Sequence, residues 1–333
     1  MQLALLFLIA SSAYVATAVP LEDVVGLEKT YPRYIEIPDG EGIMRNVDLE
    51  AEPDWELLSD VQRNAANNGY FLFTRRNQNS AQTLTMNNAN SIRNSNYDGN
   101  RPTIVIAHGW LSNRNTEPNP TIRNAYLRRS DVNIISVDWS SLSGSDYATA
   151  VRGVPAIGRG VGQFIRFLIS TAGGNLNNFH LIGFSLGAHV VGNAGRELGG
   201  RAARVTGLDP AGPMWLTNSN RLNRNDGVYV EAIHTDGGLS GLGIGSAVAN
   251  ADFFPNGGNS QPGCSTSFCN HNRAWELFAS TVTRNHLVAN QCNSMTQVNA
   301  NTCRGSRLNM GNDDLRKTGN GLFRVNTARR YPF

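Results

Sequence analysis

The stretch His180-Leu-Ile-Gly-Phe-Ser-Leu-Gly-Ala-His-Val-Val-Gly192 decides how this chain is read. A short apolar run ends in the turn Gly183-Phe-Ser185-Leu-Gly187, and helix-compatible residues follow. A serine on a sharp strand-to-helix turn projects its hydroxyl away from the backbone. Chain closes in on both sides of that serine, so the flanking positions must lack bulk, which glycine provides. The helix that follows points free N–H groups and the positive end of its dipole at any anion formed beside the serine. The five-residue pattern is common by chance; the strand before it and the helix after it give it weight. Ser185 is read as a nucleophile.

The surrounding sequence alternates in type. Strands are predicted at Thr103–Ala107, followed by the turn His108-Gly109-Trp110, and at Asn133–Val137, ending in Asp138-Trp139. Others are Phe179–Gly183, Val205–Leu208 ending in Asp209, and Val228–His234 ending in Asp236. A helix opens at Pro155, with Ile157, Val161, Phe164, Ile165 and Leu168 at helical spacing, and another spans Ala188–Leu198. A third starts just past His271. Residues 77–100 read as loops around one weak strand. The order predicts an α/β chain, a mostly parallel central sheet with helices on both faces. The glycine loop 237–245 has neither phosphate-binding fingerprint and no lysine, so it is not a nucleotide site.

The chain's 333 residues can bury a large core as one domain. Residues 1–18 have the apolar run and the Ala16-Thr17-Ala18 site of a secretory signal, and no other stretch is long enough for a membrane span. Residues 19–60 read as an N-terminal arm or propeptide, and 61–333 as the main domain. In a secreted chain, Cys264, Cys269, Cys292 and Cys303 read as two disulfides in one of three connectivities. Pairing 264 with 269 and 292 with 303 closes the smallest loops. Zinc fits poorly, because no Cys-x-x-Cys pairs occur. A net charge of +3 implies no nucleic-acid partner. Only Lys29 and Lys317 among the 29 basic residues are lysines. Arginine holds its charge far above pH 10, so an alkaline extracellular fluid such as a gut lumen is one expectation, lineage bias in codon use the other. Asn119-Pro-Thr is disqualified as a glycan acceptor by its proline.

An activated serine needs a base to take its proton and an acid to orient that base. Among six histidines, His271 is the best placed, just after a cysteine and before a helix. His108 sits in a turn, His180 at a strand start, His189 inside a helix, His234 at a strand end and His286 late in a helix. Asp209 leads as the acid, with Asp236 as competitor, both at strand ends. Oxyanion donors are expected from the backbone N–H of Leu186, the residue after the nucleophile, and of Trp110 in the early-strand loop.

Seven motifs then coincide: His108-Gly-Trp, Asp138-Trp, Gly183-Phe-Ser-Leu-Gly-Ala-His, Gly207-Leu-Asp-Pro-Ala-Gly-Pro, Ile233-His-Thr-Asp-Gly, Asp252-Phe-Phe-Pro-Asn-Gly-Gly and Cys269-Asn-His. Over about residues 60–333 the chain resembles the pancreatic lipase family, most closely its secreted insect lipase and phospholipase A1-like branch. The resemblance implies an α/β-hydrolase fold, with Ser185 as nucleophile, Asp209 as acid, His271 as base, and Trp110 and Leu186 as oxyanion donors. It implies a carboxylic ester hydrolase, a lipid substrate at a membrane or micelle surface, and no cofactor.

Three departures refine those expectations. The family's pancreatic members carry a further β-sandwich domain; the chain ends at Phe333, so neither that domain nor a colipase-type partner is expected, and a monomer is. The family's lid maps to Cys264–Cys269, with only Ser265, Thr266, Ser267 and Phe268 inside. In the family, short lids accompany phospholipase A1 or galactolipase activity and long ones triglyceride preference. The family's calcium segment maps to Asn218, Arg221, Asn223 and Asp226, where asparagines replace the carboxylates a hard cation prefers, so no metal is expected. The alternatives are a digestive triacylglycerol lipase and a non-catalytic, yolk-type lipid-binding protein.

Overall fold

The computed structural model describes residues 29–66 and 68–333. The expected signal segment, residues 1–18, lies outside the described residues. The chain from Tyr31 to Phe333 forms one compact unit. It opens with strands β1 (Tyr34–Pro38) and β2 (Met44–Asp48), helix α1 (Trp55–Arg63), strands β3 (Gly69–Phe73) and β4 (Gln82–Leu84), and helix α2 (Ala89–Arg93). Then come β5 (Thr103–Ala107), α3 (Asn119–Arg129), β6 (Asn133–Asp138), α4 (Ser140–Ser143), α5 (Tyr147–Ala172), β7 (Phe179–Phe184) and α6 (Leu186–Glu197). The chain continues through β8 (Arg204–Leu208), β9 (Tyr229–Ile233), β10 (Ala251–Pro255) and α7 (Ser267–Arg284). It ends with β11 (Val288–Cys292), α8 (Met295–Ala300), β12 (Arg307–Asn309) and β13 (Gly321–Val325).

Among the described residues, eleven strands make one sheet in the order β12-β11-β13-β10-β9-β8-β7-β5-β6-β3-β4. From β6 to β13 neighbours run parallel; β3, β4, β11 and β12 pair antiparallel at the two edges. The apolar runs explain this. Strand β5, Thr-Ile-Val-Ile-Ala, is buried along its whole length, as befits a strand covered on both faces. Val105 and Ala107 face the core beneath α5 and α6, whereas Ile104 and Ile106 face the core shared with α3 and α7. The α/β-hydrolase architecture is therefore present.

Strand order reverses beside β5: β6 lies on one side and β7 on the other. At such a switch point the loops leaving the strands' carboxyl ends diverge and open a crevice. Paired Ala107 and Gly183 carry the 108–111 loop and the Ser185 turn to that crevice together.

Four local readings change. The long helix does not open at Pro155; α5 starts at Tyr147, where the Asp146 carboxylate accepts from Thr149 N at 2.9 Å, and Pro155 lies inside it. The buried face that includes Ile157, Val161 and Phe164 holds the helix through the hydrogen bond a proline lacks. His271 does not precede the helix but lies within α7. Thr266 caps α7 by accepting from Cys269 N at 3.2 Å, which starts the helix before the histidine. His286 lies beyond α7, because Asn285 adopts a left-handed conformation and ends it. Residues 77–100 hold a short helix, α2, as well as β4.

Candidate active site

The site is built on strand ends. Ser185 follows β7 directly and has φ 57° and ψ −123°, a left-handed backbone that costs energy for a non-glycine residue. The glycines around it explain how that turn is held. A Cβ on Gly183 would stand 2.0 Å from the Gly187 carbonyl oxygen, and one on Gly187 2.4 Å from the Ala107 carbonyl oxygen. No side chain fits either position. Ser185 N–H donates to the Leu208 carbonyl at 3.1 Å, tying the turn to the end of β8.

Asp209 follows β8 and is wholly buried, with φ 41°. Its Oδ2 lies 2.5 Å from His271 Nδ1, and its Oδ1 accepts from the Thr235 and Asp236 amides at 2.7 and 3.1 Å. Those two amides follow β9, so the neighbouring strand end orients the carboxylate. His271 is 6 % exposed and its ring lies 4.6 Å from that of Phe184. Ser185 and His271 line the same cavity of about 310 Å³, with Trp110, Phe184, Leu242 and Phe268.

Asp236 is used differently. Its Oδ2 accepts from Leu242 N at 2.8 Å and from the Ser267 hydroxyl, so it ties the 237–245 loop to the start of α7. Burial, reinforced by the nearby Asp209 charge, pushes its carboxyl up to about 6. Between the two carboxylates that spacing left open, geometry gives the histidine to Asp209.

Trp110 follows Gly109, whose Cα packs so close to Ser185 that a Cβ there would lie 3.2 Å from the serine Cβ. The Trp110 indole donates to Ser145 O at 2.9 Å and meets Tyr147 edge-on, which anchors the loop. Leu186 is the first residue of α6, where N–H groups have no acceptor within the helix. A hydroxyl on a strained elbow, an imidazole held by a buried carboxylate and first-turn amides beside them are the components of nucleophilic acyl transfer.

The remaining histidines are engaged in the structure. His180 bonds Tyr126 and Thr206 at 3.0 and 2.7 Å, and burial holds its pKa well below the usual value. His189 bonds Ala211 O and Leu222 N; burial lowers it to about 3. His234 lies between Ile244 O and Asp252, and His108 meets Gly109 O and Trp139 N.

Cysteines pair 264 with 269 and 292 with 303. Half of the four-residue loop inside the first bridge, Ser267 and Phe268, is already helix α7. Of the calcium candidates, Asp226 forms an ion pair with Arg196 at 3.1 Å and accepts from Asn223 N, while Arg221 donates to Leu216 O.

Sequence reasoning missed one contributor. Ile37, Pro38, Asp39 and Gly40, from the β1–β2 hairpin, also line the cleft. The alternation of Ile35 and Ile37 before Asp39-Gly40 is a hairpin signal that could have found it.

A family model described as Lipase matches residues 50–320. Pancreatic triacylglycerol lipase of Mus musculus is 35% identical over 263 residues, 71% of this chain and 56% of that protein. Pancreatic lipase-related protein 2 of Cavia porcellus is 38% identical over 240 residues, 69% and 54% of the respective lengths. The chain spans about half the length of the curated relatives it matches. With the fold and the conjunction of Ser185, Asp209 and His271 in place, the matched span is decisive: the chain belongs to the pancreatic lipase family.

Proposed function

We propose that this protein is a secreted serine-dependent carboxylic ester hydrolase acting on acyl lipids, of phospholipase A1 or galactolipase type. The observation that carries the reading is the 2.5 Å contact of His271 with buried Asp209 in a cleft that Ser185 shares. In the proposed reaction His271 Nε2 takes the Ser185 proton as Oγ bonds to the ester carbonyl carbon. The Asp209 carboxylate stabilises the imidazolium through Nδ1–H. The Leu186 and Trp110 amides hold the oxyanion; loss of one such donor typically costs on the order of 10²–10³ in rate. The imidazolium then protonates the departing alcohol, and water, deprotonated by the same imidazole, releases the fatty acid and restores Ser185.

The preference for polar lipids rests on the small Cys264–Cys269 loop, too short to carry an amphipathic flap. Secretion rests on the signal-like residues 1–18 and the two disulfides. The main alternative is triacylglycerol hydrolysis, favoured by the name of the mouse relative. A third, non-catalytic lipid binding, is disfavoured by the presence of all three side chains.

Two measurements test this. Nitrophenyl butyrate hydrolysis should fall by at least about 10³-fold in Ser185→Ala; equal rates would overturn the nucleophile. Fatty acid released from phosphatidylcholine should exceed that from triolein, and the reverse would favour the triacylglycerol reading.

A further inference from the structure

The β1–β2 hairpin touches both sides of the cleft. On one side Gly40 N–H donates to Leu111 O at 3.2 Å, reaching the loop that carries Trp110. On the other, Gly42 lies under Phe268, inside the disulfide loop: a Cβ there would stand 2.9 Å from the phenyl ring, and its φ of +85° already disfavours any side chain. Between these contacts Ile37 and Pro38 supply apolar wall to the cavity that holds Ser185 and His271. Ile43 and Met44, about half exposed, extend that apolar surface beyond the turn.

The turn is fixed by one buried carboxylate. Asp39 Oδ1 accepts from the Glu41 and Ile43 amides at 3.0 and 2.9 Å, and Oδ2 accepts from Arg45 Nε and Nη2 at 3.0 and 2.8 Å. Arg45 itself is outside the cavity lining and half exposed. Its guanidinium reaches the cleft through Asp39.

From these contacts we infer that the β1–β2 hairpin, through Ile37 and Pro38, is the acyl-selecting wall of the cleft, held in place by the Asp39–Ile43 turn where the short disulfide loop provides no flap, with Arg45 as its positioning residue. The inference rests on the ester-hydrolase reading above. A long acyl chain gains roughly fourfold in binding for each methylene it buries, so a displaced wall is felt by long chains and scarcely by an acetyl group.

The test is the acyl-length profile of nitrophenyl esters from acetate to laurate. Arg45→Ala is expected to raise KM for laurate at least fivefold, to leave kcat within twofold, and to leave both parameters for acetate within twofold. Arg45→Lys, which keeps a cation on Asp39, should recover most of the laurate KM. Gly42→Ala, which pushes the turn away from Phe268, should shift the profile in the same direction and decides the matter if Arg45→Ala does not fold. Folded variants with the wild-type profile would overturn the inference alone. A wild-type protein that hydrolyses none of these esters would overturn the ester-hydrolase reading and the inference with it.

Discussion

Strand β8 carries a buried charge at each end, and the two ends have opposite surroundings. At its start Arg204, fully buried, donates to Glu231 Oε1 at 2.5 Å, while Lys317 Nζ lies 2.5 Å from Glu231 Oε2. Carbonyls of Gly311, Asn312 and Asp314 accept further protons from the two cations, while the buried Arg204 Nε–H finds no acceptor among the described residues. Just past its end, Asp209 is equally buried, but its partner His271 borders the cleft. Both clusters follow the rule that buried charges are paired and hydrogen-bonded. They differ in whether a partner can exchange a proton with something arriving from outside. A closed cluster contributes structure; an open one can contribute chemistry.

The largest effect expected from this contrast is on rate. Asp209→Asn should lower kcat for nitrophenyl butyrate by about 10⁴-fold, the loss expected when an orienting carboxylate becomes an amide. Asp236→Asn should cost within about tenfold, since Asp236 holds loops rather than His271. Comparable losses in both variants would erase the distinction between the two aspartates.

At the other end of β8 the expected loss is in stability. Glu231→Gln leaves two buried cations without their anion and should destabilise the fold by ~3–5 kcal/mol in urea unfolding. Activity per folded molecule should stay near wild type. A variant of unchanged stability would show that the cluster contributes little to the fold.

A smaller effect follows from Lys317. Burial lowers its ammonium to about 8, against a reference near 10.4 in an unfolded chain. Between those values the unfolded chain binds the proton and the native protein does not, so this group makes stability rise with pH. The urea midpoint of the wild type should therefore gain on that of Lys317→Met between pH 8 and 10. A constant difference would remove the effect.

How much of this was legible depended on sequence distance. Ser185 declared itself because strand, turn and helix are contiguous, and Asp209 and His271 were within reach because strand ends and a cysteine mark them. The choice between Asp209 and Asp236 was not settled by spacing, since both end neighbouring strands and only three-dimensional contact separates them. The meeting of Arg204, Glu231 and Lys317 escaped notice: their contacts span 27 and 86 residues, and no local pattern signals it. Pro155 misled because proline favours helix starts, and the Asp146 cap nine residues earlier outweighed it. The hairpin's place against the cleft depends on contacts with residues 111 and 268, far from it along the chain.

The central claim is that the open cluster beyond β8 activates Ser185. A nitrophenyl alkylphosphonate, which phosphonylates an activated serine and expels nitrophenolate, tests it most directly when followed by peptide mapping. The account predicts one adduct, on Ser185, formed in step with loss of esterase activity and strongly slowed in His271→Ala. An adduct on another residue, or full ester hydrolysis by protein already labelled at Ser185, would contradict it.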